Sequence, residues 1–138
     1  MSTPYAGFTP TQAAIFAKLT ADAMLSTMLV GVFDGDAPEG TAFPYVLIGD
    51  AIETPDNAHG AFGRQTVQTL HVWSEYRGFA EASSIAYRLQ ELLDEQPLDI
   101  TGHRHVATRF EFAQTLTDPD RPGLRHVPVR FRIITSKE

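Results

Sequence analysis

The residues most able to do chemistry here are five histidines and a scatter of carboxylates in a chain with no cysteine. Without cysteine there are no disulfides, thiolate nucleophiles or thiolate-held zinc or iron–sulfur centres. His103 and His105 are two apart on an expected strand, so both point to one face. His71 and His126 fall in segments that could lie side by side. Clustered neutral imidazoles can bind zinc. No carboxylate stands at a recognisable ligand spacing, and His103 follows a glycine turn. Exposed, unrelated histidines are the stronger reading, and no metal is assigned.

Asp34-Gly35-Asp36 with Glu39 has the look of a calcium loop, but no acid occupies the twelfth position an EF-hand needs. An acidic turn explains it. There is no Gly-x-Ser-x-Gly elbow, no phosphate-binding Gly-x-x-x-x-Gly-Lys and no dinucleotide glycine pattern. Gly60-x-x-Gly63 reads as loop. Asp118 and Asp120 sit in a proline-rich turn, a poor place to raise a pKa by burial. Ser74, Glu75 and His71 crowd one strand and form no sensible hydrolytic site. No catalytic or cofactor-binding residue is assigned. Trp73, the lone tryptophan, is read as core packing rather than as a ligand platform.

The elements that position these residues follow from periodicity. Thr9-Pro10-Thr11-Gln12 reads as a helix start with a capping box. Ala14, Ile15, Leu19 and Ala23 then keep helical spacing. The helix restarts near Thr20–Asp22 and ends at Gly31. Val32-Phe33 is a short strand, and Pro44–Gly49 a firmer one. Residues 1–8 read as a loose arm and 53–65 as a long flexible loop. Thr66–Ser74 is the next strand. The strongest helix follows Gly78, with Ala82, Ile85, Ala86, Leu89, Leu92 and Leu93 on one face, and Pro97 closes it.

Residues 103–117 and 125–135 read as two long strands joined through Asp118–Gly123. In the first, Val106, Phe110, Phe112 and Leu116 alternate with His105, Arg109, Glu111 and Ala113. In the second, Val127, Val129, Phe131 and Ile133 alternate with His126, Pro128, Arg130 and Arg132. Matching the apolar faces sets Glu111 opposite Arg130 or Arg132. Pro128 lacks a ladder donor, which points to an edge strand. The element order implies an α+β fold: a mostly antiparallel sheet of four to five strands with two main helices on one face. Its 138 residues suit one domain spanning the chain.

The net charge is −6, and all of it lies in residues 1–63; residues 64–138 balance to zero. Six arginines fall between Arg104 and Arg132. The two regions could attract each other between copies; chance clustering on a solvated surface reads the same. No basic helix or arginine–aromatic alternation marks a nucleic-acid binder. No opening segment reads as a signal peptide, and the apolar runs are too short to span a membrane.

Several patterns carry a family resemblance. They are Leu19-Thr20-Ala21-Asp22-Ala23-Met24-Leu25, Gly31-Val32-Phe33-Asp34-Gly35 with Ala37-Pro38, and Pro44-Tyr45-Val46-Leu47-Ile48-Gly49-Asp50. Leu70-His71-Val72-Trp73-Ser74, Arg77-Gly78, Asp118-Pro119-Asp120 and Arg125–Arg132 follow in order. Together they resemble the tail terminator or tail completion family of long-tailed phages and gene transfer agents. Arg121-Pro122 and the proline in the N-terminal arm depart from that pattern.

The resemblance implies a structural virion protein, not an enzyme, needing no cofactor. Such a protein caps the tail tube and forms the head–tail joining surface as a hexameric ring around the DNA path. Its partners would be further copies, the tail tube protein and a head–tail connector, with DNA passing through without sequence-specific binding and no membrane involved. It would be found in the host cytoplasm during assembly and then at the head–tail junction. Candidate interface residues are Arg109, Glu111, Arg130, Arg132, Asp56 and Arg64. A stopper, adaptor or tube protein is the alternative; a small α+β ligand-binding protein or enzyme is a further one.

Overall fold

The computed structural model describes residues 7–57 and 62–137. Of the expected arm, residues 1–6 lie outside the described residues, as do 58–61 of the expected loop.

The first helix, α1, spans Phe8–Thr20 and starts earlier than its sequence suggests. Gly7 is its N-cap and no side chain caps it, so the Thr9–Gln12 capping box does not form. The first helical bond instead runs from Thr11 N–H to Gly7 C=O, and Thr11 is buried. Gly7 fits because a Cβ there would run into the Glu53 carboxylate. The restart is real. Asp22 caps α2 (Ala23–Met28), its carboxylate accepting from Leu25 N–H at 2.8 Å.

Strand β1 (Val32–Asp34) is short. β2 runs Tyr45–Pro55 and β3 Gly63–Ser74. Both ends of the expected loop at 53–65 are therefore paired strand: Glu53 faces Thr66, Thr54 faces Gln65 and Pro55 faces Arg64. Residues 56–62 join the two strands. Turn-forming residues such as Pro55 suggested a loop, but β3 is held along its whole length by a second neighbour, and β2 pairs onto it.

Helix α3 spans Ala80–Leu93 and buries Ala82, Ile85, Ala86, Leu89 and Leu93. β4 (His103–Ala113), the two-residue β5 (Leu116–Thr117) and β6 (Arg125–Lys137) complete the chain.

The sheet has six strands in the order β1-β2-β3-β6-β4, with β5 beside β6. It is mixed rather than wholly antiparallel, because β1 runs parallel to β2. β6 is not an edge strand: it lies between β3 and β4. Pro128 is tolerated there because its backbone faces the break between β4 and β5. Its carbonyl accepts from Gln114 N–H at 3.2 Å, and no strand donor is needed at that gap.

Ile15, Leu19 and Leu25 from the first two helices meet Ile85, Leu89 and Leu93 of α3 over Val46, Ile48, Leu70, Val72, Val129, Phe131 and Ile133. All three helices join this one core on one face of the sheet. Among the described residues no helix covers the opposite face.

Candidate interaction surface on the open sheet face

Strand alternation sets what the open face presents. On β3 the even residues from Thr66 to Ser74 are buried and the odd ones, Gln65 to Trp73, are half-exposed. On β6 the odd residues from Val127 to Thr135 are buried, so Arg130 and Arg132 look outward. On β4, Arg109 stands opposite Arg132 and Phe112 opposite Arg130.

Two register shifts in β4 alter the face expected from strict alternation. One skips Val106 and the other skips Glu111. The first leaves Val106 exposed and the second brings Phe112 to the outer surface beside Arg130. Neither residue belongs to the apolar face assigned to it by alternation. Phe110 does, meeting Phe131 edge-on at 6.1 Å.

Four of the six candidate residues gather here. Arg132 donates from Nε to Glu111 at 2.8 Å and from Nη1 to Gln65 Oε1 at 2.7 Å. The Glu111–Arg132 partnership expected from the sequence thus forms, with Glu111 at a bulge rather than directly opposite. Arg109 lies 3.7 Å from Glu95. The Arg130 guanidinium sits 4.7 Å over the Phe112 ring. The remaining two are elsewhere. Arg64 is only 8% exposed, with Nη1 donating to Gly63 C=O, and Asp56 N–H donates to Gly63 C=O at 2.9 Å. Both lie at the turn end of the β2–β3 hairpin.

A second feature of this face was not expected. Trp73 is not in the core; it lies flat against His126, centroids 4.0 Å apart. His126 Nε2 and His71 Nδ1 are 2.7 Å apart, so one nitrogen donates and the other accepts. Burial lowers the pKa of His71. Burial, then the neighbouring His71, push His126 down to about 4. The pair is neutral near pH 7. Gly49 makes room for it, since a Cβ there would stand 2.5 Å from His71 Nε2. The signal in the sequence was parity: Trp73 is out of step with buried Leu70 and Val72.

These rings floor a cleft of about 520 Å³ at the β1 side of the sheet, rimmed by Asp34, Asp36 and Asp50. At the same end Phe43 stacks on Tyr45 at 5.0 Å, and Arg121 lies over Phe43 at 5.5 Å while pairing with Glu75. Among the described residues no three or more histidine or acidic side chains gather as metal ligands. Among the described residues no helix is long and apolar enough to cross a membrane. The face offers shape, charge and stacking, which are the means of protein–protein contact.

The fold superposes on a chain of the native gene transfer agent particle virion with a TM-score of 0.88 at 25% identity, covering 96% of this chain and 98% of that one. It superposes on bacteriophage SPP1 gp17 with a TM-score of 0.65 at 27% identity, covering 96% and 95%. In sequence, tail completion protein gp17 of Bacillus phage SPP1 is 37% identical over 94 residues, which are 66% of this chain and 68% of that protein. The family model for tail completion protein gp17 matches residues 13–136. The chain belongs to this tail completion family, and is a structural component of a phage or gene transfer agent tail.

Proposed function

We propose that the chain caps the end of a finished tail tube as a closed ring of six copies and offers the surface to which the filled head attaches through its connector. The observation that carries this reading is the near full-length likeness to a chain of an assembled gene transfer agent virion. The open, charged sheet face supports it, because a ring needs surfaces left unsatisfied in the single copy. DNA passes through the ring without sequence-specific contacts, and the chain performs no catalysis.

Head-to-tail contacts close into a ring when two different surfaces of one subunit are complementary. Arg109, Glu111, Arg130 and Arg132 lie on such a surface. The hairpin turn carrying Asp56 contacts the layer above or below the ring. Adding the purified protein to isolated tail tubes tests this: capped ends support it, and polymerisation of the chain alone into long tubes would make it a tube protein instead.

A further inference from the structure

We infer that the acidic-rimmed cleft at the β1 side receives Arg130, backed by Phe112, from the next copy. This rests on the ring reading and names the contact that closes it.

The two halves of the contact are each incomplete in one copy. Asp34, Asp36 and Asp50 are exposed, and among the described residues no lysine or arginine forms an ion pair with them. Arg130 is exposed and likewise has no carboxylate partner there. Its guanidinium is held over the ring of Phe112, which is itself 38% exposed. A guanidinium is weakly hydrated and suits both carboxylates and aromatic faces. The cleft supplies both, with its aspartate rim and the indole of Trp73.

The two patches are distinct. Arg130 stands on β6 opposite Thr69, and the cleft runs over β1, β2 and β3 with His126 of β6 in its floor. A head-to-tail contact joins two different patches of the subunit.

Side chains rather than strand addition make the contact. The free edge of β4 is already occupied at its middle, where Glu95 N–H donates to Thr108 C=O and Phe110 N–H donates to Asp94 Oδ1, both at 2.8 Å.

The absence of cysteine allows a direct test. Asp36→Cys and Phe112→Cys variants are mixed under ring-forming conditions or on tail tubes, oxidised mildly and run on a non-reducing gel. The mixture should give cross-linked dimers, and each variant alone should not. Arg130→Glu should raise the concentration needed for assembly at least tenfold, and Asp36→Arg in the same chain should restore it in part. If the wild-type chain closes rings while the mixture stays uncross-linked and Arg130→Glu assembles normally, this contact is wrong and the ring stands. Cross-linking of Asp36→Cys to itself would mean a two-fold contact and overturn the inference. If the wild-type chain closes no ring, alone or on tubes, both readings fall.

Discussion

Trp73 and His126 face each other across β3 and β6, their rings 4° from parallel with centroids 4.0 Å apart. Protonating His126 would set a cation against the indole, so the emission of the lone tryptophan reports its charge. We expect a fluorescence transition with its midpoint near 4, well below the ordinary histidine value, because burial and His71 oppose protonation. His126→Ala should remove it. A midpoint near 6.5, or a transition that survives the substitution, would contradict the stacked geometry.

The same lowered values set the sign of a stability change. As pH falls below about 6.5 the unfolded chain takes up protons at His71 and His126 that the folded chain refuses, at His126 down to about pH 4. Stability should fall as pH drops through that window and be level above it with respect to these groups. Denaturation midpoints of wild type and His126→Ala, compared at pH 7.5 and 5, would check it: the wild type should lose more.

Asp22 does two jobs. It caps α2 and receives two hydrogen bonds from Arg88 of α3, at 2.7 and 3.0 Å. Arg88 and the Leu25 N–H hold its pKa below the usual carboxylate range. Asp22→Ala should lower the melting temperature measurably at pH 7. The gap to wild type should shrink as acid protonates the carboxylate, since a depressed pKa contributes stability only above it. An equal gap at pH 7 and pH 2.5 would show that packing, not charge, is what the substitution removes.

Phe131 is 1% exposed on the inner strand β6 and lies against Phe110. Phe131→Ala should cost about 3–5 kcal/mol in urea unfolding. A cost under 1 kcal/mol would contradict a core centred on β6.

The Glu111–Arg132 pair is partly exposed, so a double-mutant cycle should give about 0.2–1 kcal/mol of coupling, falling with added salt. A salt-independent coupling would point to packing instead.

The helices were legible because their apolar periods are strong: α3 buries the face marked by Ala82, Ile85, Ala86 and Leu89. Arginine exposure on β6 followed from simple alternation. Local chemistry misled where distant contacts decide. Pro128 looked like an edge residue, but the break between β4 and β5 lies opposite it. Pro55 and its neighbours looked like loop, but β3 gives them a paired strand. The bulges that turn Val106 and Phe112 outward carry no clear sequence mark. That His71 and His126 could lie side by side was legible, and they do, but the stacking of Trp73 on His126 depends on register across two strands.

The most direct measurement is negative-stain imaging of isolated tail tubes mixed with the purified protein, alongside its mass in solution. Closed rings of about six copies, as head-to-tail closure allows, should be seated on one end of each tube. Bare tube ends with a protein that stays monomeric, or long tubes made of this chain alone, would contradict it.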